Sequence, residues 1–206
     1  NTKEAKSIKP ISGFYRVFRK VLYYPVLFLC NLRIRGKENE PTPDQGTYLV
    51  IGVHRTWADA LYFCAALKHQ QPHFMAKKEL FKIPLLNILI RSLGAYPVNR
   101  GGVDVGAVKR TIEMLKAGVC VGMFPQGHRY NKVDPRKTPV KTGAAMIALK
   151  AGVPVLPVFV KVKNNRHRIF CKKEVIIGKP ITIEEMNYNP EAPGEYQRVV
   201  DYLFER

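Results

Sequence analysis

Tyr48-Leu49-Val50-Ile51-Gly52-Val53 is an unbroken apolar run that passes directly into His54-Arg55-Thr56-Trp57-Ala58-Asp59. A short, aliphatic run of this kind reads as a strand buried on both faces, the hallmark of a parallel sheet covered by helices. Ala58, Leu61, Tyr62, Ala65 and Ala66 then recur at helical spacing, so a helix is expected over about residues 58–68. The junction sets a histidine at a strand end and an aspartate near a helix start. Such a pair can be structural, with the carboxylate capping the helix. It can also be a general base, with the carboxylate fixing the imidazole tautomer and the other ring nitrogen free to take a proton from a hydroxyl. The junction alone leaves both open.

The same alternation continues on either side. Strand patterns fall at 34–39, 72–76, 95–98, 119–124, 153–162 and 168–177; helical patterns fall at 84–93, 103–116, 142–150 and 194–205. Pro154 and Pro157 predict irregular pairing in the long strand over 153–162. Strands alternating with helices define an α/β class with a mostly parallel central sheet flanked by helices. Functional groups of such sheets collect beyond the carboxyl ends of the strands. Three loops stand there: His54 to Asp59, Asn99 to Gly102, and Pro125 to Arg129.

A chain of 206 residues has room for one well-buried core. Residues 1–33 read as an N-terminal amphipathic helical segment and 34–206 as the α/β domain. Charge is the outlying property: 34 Lys and Arg face 16 Asp and Glu, a formal net charge of +18. Such a surface attracts nucleic acid, anionic lipid or phosphorylated substrates, and composition does not choose among them. Cys30, Cys64, Cys120 and Cys171 are scattered and form no CxxC pair, which suits free thiols in a reducing compartment. No His/Cys cluster has zinc spacing, so no metal site is expected. RRM, KH, helix-turn-helix and zinc-finger signatures are missing too, so nucleic acid is not an expected partner.

The stretch from Ile11 to Leu32 interleaves aromatic and aliphatic side chains with Arg16, Arg19 and Lys20. It falls short of the ~18 consecutive apolar residues of a spanning helix. It suits an interfacial helix on an anionic membrane surface, or a helix packed on the core. Pro25 should end or kink it.

In the three loops, Arg100 precedes Gly101 and Gly102, and Arg129 closes Phe124-Pro125-Gln126-Gly127-His128-Arg129. Guanidinium forks can hold a phosphate, and glycines let backbone approach an anion. A base beside such a pair suits a substrate carrying both a hydroxyl and a phosphate. Taken together, these blocks resemble the glycerolipid acyltransferase family that converts lysophosphatidic acid to phosphatidic acid. His54 and Asp59 match its H-x4-D motif. Lys77 to Pro84 with Gly94 to Gly101 resembles its second block, Phe124 to Arg129 its third, and Lys141 to Ala144 with Val153 to Val158 its downstream segments.

The resemblance implies acyl transfer from acyl-CoA or acyl-carrier protein to a glycerol hydroxyl, that of lysophosphatidic acid or, alternatively, of glycerol 3-phosphate or another lysolipid, with no cofactor beyond that thioester donor. It gives His54 the role of general base and Asp59 that of orienting it. It assigns acceptor phosphate binding to Arg100, Arg129 and Lys78, and a substrate-binding loop to Gln126 and Gly127. It implies an anionic membrane surface as partner and a peripheral or monotopic place on the cytoplasmic face of the cell membrane. The third block departs from the family's usual F-P-E-G-T-R at two positions, with Gln126 for glutamate and His128 for threonine.

Overall fold

The strand β2, Leu49–Gly52, is buried along its whole length, and its alternate side chains serve two different cores. Leu49 and Ile51 join one cluster while Val50, with Tyr48 just before it, joins the other. That period-two division is what a sheet covered on both faces requires. The structure is a computed structural model that describes residues 11–99, 104–131, 133–162 and 171–205.

Six further strands complete the sheet: β1 (Leu32–Arg35), β3 (His73–Lys77), β4 (Tyr96–Val98), β5 (Val121–Met123), β6 (Val155–Val162) and β7 (Lys173–Ile177). Their order is β1-β7-β6-β2-β5-β3-β4. From β6 to β4 every neighbour is parallel, so five carboxyl ends share one edge. β7 runs antiparallel to β6 and parallel to β1. The mixed α/β class with a mostly parallel sheet is therefore observed.

Helices α1 (Gly13–Leu29) and α2 (Asp59–Ala66) lie on one face, where Tyr15, Phe63, Leu67 and Phe74 pack with Val50, Leu156 and Val175. Helices α4 (Val105–Lys116), α5 (Gly143–Ala151) and α6 (Glu195–Glu205) cover the other, with Met114, Leu115, Ile147, Val199 and Leu203 packed on Leu49, Ile51 and Val121. Helix α3 (Pro84–Ser92) connects β3 to β4 and buries none of its residues fully. Each aliphatic side chain withdrawn into these two layers contributes about 1.5–3 kcal/mol.

Several expected boundaries shift for identifiable reasons. The strand expected over 34–39 is instead β1 at 32–35, because Gly36 adopts a left-handed backbone with φ 72° and turns the chain into a 3₁₀ turn, Lys37–Asn39. Pro25 does not end α1, which runs on to Leu29; Pro25 and Val21 both lie on its exposed side, so the carbonyl that loses its partner stays near water. Pro157 pairs in register with Ile51 and falls one residue short of the β7 ladder, which begins at Val158 and Ile177. The expected last strand, 168–177, is described only from residue 171, and β7 occupies 173–177.

α1 is tied down on one side: the buried Tyr15 hydroxyl donates to the Cys64 carbonyl at 2.9 Å, and the Arg19 guanidinium donates to the Leu67 carbonyl. On its other side Phe14, Val17, Val21, Tyr24 and Phe28 are exposed at alternating spacings of three and four. The expected packing of this segment on the core is therefore observed, and its other side presents an exposed apolar stripe.

Candidate active site

β2 ends at Gly52, where a Cβ would lie 2.3 Å from the Val158 carbonyl oxygen and 2.4 Å from the Phe63 ring. Only glycine lets β2 and β6 close over Phe63 at the point where the chain leaves for His54. The chain then turns through residues 53–58 into α2, and Asp59 organises that turn. Its Oδ2 accepts from the Arg55 and Thr56 backbone N–H groups at 2.6 and 2.7 Å, and its Oδ1 accepts from the Thr56 hydroxyl at 2.9 Å. Oδ2 also lies 3.1 Å from His54 Nδ1. The Asp59 side chain is 1% exposed and that of His54 12%. The histidine pairing is therefore present, while the same carboxylate ties down the turn that leads into α2 instead of capping the helix itself.

With Nδ1–H directed to Asp59, the tautomer leaves Nε2 as the acceptor nitrogen. Among the described residues none bonds Nε2. The imidazole stacks on Phe124 with centroids 4.2 Å apart and 12° between planes, and Phe124 packs in turn on Phe63 and Phe74. An aromatic wall on one side and a buried carboxylate at one nitrogen leave the ring little rotational freedom.

The Gln126 loop follows β5, the neighbour of β2. Gln126 is 1% exposed and turned inward. Its Oε1 accepts from the His54 backbone N–H at 2.6 Å, and its Nε2 donates to Thr138 Oγ1 at 2.6 Å. Thr138 Oγ1 donates onward to the Pro135 carbonyl at 2.5 Å. The Tyr130 N–H donates to the His54 carbonyl at 2.9 Å, which brings the segment carrying Arg129 alongside the histidine. Gly127 has φ 69°, and a Cβ there would come 3.1 Å from Lys141 Cε, so the lysine stem lies over the glycine. The Lys141 N–H closes the loop on the Pro125 carbonyl at 2.8 Å.

His54, Asp59, Gln126, Gly127 and the start of the Arg129 segment thus come together. Arg129 is exposed. Lys78 is exposed as well, at the head of a 3₁₀ turn, Lys78–Lys82, that leaves the carboxyl end of β3. There it is close enough to help hold the Asp104 carboxyl below its usual range, after the Asn99 and Ala107 N–H groups. Arg100 lies outside the described residues, as do Gly101 and Gly102.

Four neighbours were not singled out as site residues from sequence. Phe124 and Lys141 fall inside recognised blocks, which was the available signal. Thr138 has no sequence signal, because its partner is twelve residues away. Arg55 is 6% exposed, its Nε has no hydrogen-bond partner, and its nearest acceptor is the Asn131 carbonyl at 3.5 Å from a terminal nitrogen. A buried guanidinium with no acid paired to it among the described residues is costly, and an anion supplied from outside would relieve it. A mainly apolar cavity of about 400 Å³ adjoins the end of β2, lined by Val53, Pro157, Phe159, Ile176 and Phe204 with Asp134, Arg136 and Glu205 also on its wall.

This arrangement defines an α/β domain with a hydrogen-bonded histidine–aspartate pair at the carboxyl edge of a parallel sheet. Residues 31–161 match the family model described as Acyltransferase, and the chain belongs to that family. It is 31% identical to the 1-acyl-sn-glycerol-3-phosphate acyltransferase of Bacillus subtilis over 152 residues, covering 73% of each chain. It is 33% identical to the Streptococcus pneumoniae protein of the same name, over 88% of this chain and 67% of the relative. Among solved structures, the 1-acyl-sn-glycerophosphate (LPA) acyltransferase PlsC of Thermotoga maritima superposes with a TM-score of 0.66 at 26% identity, covering 99% of this chain and 77% of that one.

Proposed function

We propose that this acyltransferase moves a fatty acyl group from an acyl thioester, carried by CoA or acyl-carrier protein, to the free hydroxyl of 1-acyl-glycerol 3-phosphate, giving phosphatidic acid. The observation that carries the chemistry is the hydrogen bond between His54 Nδ1 and the buried Asp59, with Nε2 left unbonded among the described residues. His54 Nε2 takes the acceptor's hydroxyl proton as its oxygen attacks the thioester carbonyl. Asp59 stabilises the imidazolium so formed. The tetrahedral adduct collapses with cleavage of the C–S bond, and the imidazolium returns its proton to the departing thiolate. An ester and a thiol result, and the histidine is regenerated without an acyl-enzyme.

The names carried by the relatives support the acceptor class. Arg129, Lys78 and Arg100 are the proposed phosphate ligands, and the buried Arg55 guanidinium, whose Nε has no hydrogen-bond partner among the described residues, favours an anion close by. Gly127 keeps the backbone near the acceptor. Gln126 acts through His54, whose backbone N–H it holds, so the departure from the usual glutamate bears on loop geometry before substrate choice. The apolar cavity beside Val53 offers room for an acyl chain.

The exposed apolar stripe of α1 beside Arg16 and Lys20 supports contact with an anionic membrane surface. Among the described residues no helix is long and apolar enough to cross a membrane. A peripheral position, on the cytoplasmic face, therefore remains our proposal for where the enzyme meets its lipid acceptor.

The test is thiol release from acyl-CoA in the presence of 1-acyl-glycerol 3-phosphate, with phosphatidic acid identified by mass spectrometry. His54→Ala should lower the rate by about 10²–10⁴-fold, the usual worth of a general base. Asp59→Asn should also lose at least about 10²-fold, because an amide cannot accept all the donors that converge on Oδ2. Undiminished turnover in His54→Ala would remove the base assignment.

A further inference from the structure

Eleven of the fifteen large hydrophobic side chains exposed among the described residues fall in just two places. One is α1, whose stripe is joined by Leu29. The other, unforeseen from sequence, is the 3₁₀ turn Lys78–Lys82 and α3, where Leu80, Ile83, Leu85, Ile88 and Leu89 are exposed, Leu85 by 83% and Ile88 by 65%. Leu85, Ile88 and Leu89 share one helical face at i, i+3 and i+4. Leu86 and Ile90 lie on another side of the helix, and both are only half-buried. A helix of nine residues that is apolar on two faces and fully buries nothing is poorly suited to water on its outer side.

The surroundings indicate what covers that side. Lys77, Lys78, Lys82 and Arg91 flank it against one acid, Glu79, which Lys77 approaches at 3.7 Å. Arg91 lies with its guanidinium 5.0 Å from the Phe81 ring centroid and donates to Asn87 at 2.7 Å. Aliphatic residues on one face with cations at the margin match acyl chains below and anionic headgroups above. The end of α3 also meets the start of α1: Ser12 Oγ donates to the Ser92 carbonyl at 3.5 Å, and the Ser12 N–H to Gln71 at 2.9 Å. The C-terminal end of α3 therefore meets the N-terminal end of α1, while the other end of α3 opens from the carboxyl edge of β3, next to the strand that carries the Gln126 loop.

We infer that α3 with its preceding turn is a second bilayer-docking element, which seats the α3 face and the α1 stripe together on an anionic membrane and brings the site edge to the lipid. This rests on the lipid acceptor proposed above only for its purpose, since the docking itself is read without turnover.

The experiment is co-sedimentation of the full chain with vesicles of equal parts phosphatidylglycerol and phosphatidylcholine, comparing wild type, Leu85→Ser/Ile88→Ser and, on α1, Val17→Ser/Val21→Ser. All four side chains are exposed, so helix content and melting temperature should not change. The α3 variant should partition about tenfold or more weakly, and combining it with the α1 variant should weaken binding further. On a short-chain acceptor dissolved below its micelle concentration the α3 variant should keep wild-type turnover, while on vesicle-embedded acceptor it should lose it. Unchanged partitioning of the α3 variant overturns the inference. So does a wild-type dimer in light scattering that the α3 substitutions dissociate, since the face would then belong to a second copy. If wild type releases no thiol with either acceptor, the proposed function fails while the sedimentation result still decides the docking.

Discussion

At the scale of single residues, the site depends on where hydrogen-bond capacity is placed. Gln126 splits its two ends, accepting from the His54 N–H and donating to Thr138, whose own proton is committed to Pro135. An amide can do both and a carboxylate can only accept. Gln126→Ala should leave a buried N–H and a buried hydroxyl short of partners. We expect about 1–3 kcal/mol lost from stability, read as a lower urea midpoint, with a fall in kcat larger than any change in KM. Gln126→Glu should keep the His54 contact but force Thr138 to give up Pro135 or face two acceptors, so stability should fall while kcat is largely retained. Equal kcat in Gln126→Ala and wild type would count against a positioning role. The identity of Gln126 was legible in the sequence as a departure from a family block, but its inward orientation was not. Nothing in a linear string says that residue 138 will stand behind residue 126.

At the scale of elements, most strands and helices appear within one or two residues of their expected places, because β2 and its neighbours are short apolar runs and the helices carry a 3.6-residue period. The misjudged boundary at 34–39 turns on Gly36, which is left-handed and stands where only glycine fits: a Cβ there would lie 2.1 Å from the Ile177 carbonyl oxygen of β7. That strand is far away in sequence, so the break could not be read locally. Another long-range device is Glu40. It is 4% exposed and accepts from the Lys68, His69 and Gln70 N–H groups at 2.9, 2.7 and 3.3 Å, and from the Tyr48 hydroxyl at 3.1 Å. It holds the exit of α2 against the entry of β2. Glu40→Ala should strand those donors and cost about 3 kcal/mol or more, enough to lower the urea midpoint markedly while leaving the His54–Asp59 pair intact in the remaining folded molecules. A variant with unaltered midpoint would show that water serves those donors equally well.

At the scale of the whole molecule, a formal charge of +18 and two exposed apolar faces would act on the proposed membrane partner by different forces. Cations near an anionic surface contribute about 1 kcal/mol each, within a screening length of about 10 Å at 0.1 M salt and about 3 Å at 1 M. Hydrophobic contact is not screened. Vesicle binding should therefore weaken steeply between these salt concentrations and level off above zero, and the residual part should vanish when the α1 and α3 faces are both made polar. Binding that falls to nothing in wild type at high salt would assign the whole attachment to charge.

The sequence by itself determined the alternation of strand and helix, the two-faced burial of β2, the position of His54 and Asp59 on either side of a strand–helix junction, and the basic surface. Each of these is set by local periodicity or composition, or by blocks whose spacing survives in the linear order. Tertiary structure alone decided that Asp59 serves the turn and the histidine together, that Gln126 faces inward, that Arg55 is a buried cation with no acid paired to it among the described residues, and that α3 turns aliphatic residues outward. Those properties depend on which distant segments fill the space around a side chain. That is fixed only when the sheet order is set and the two layers close on it.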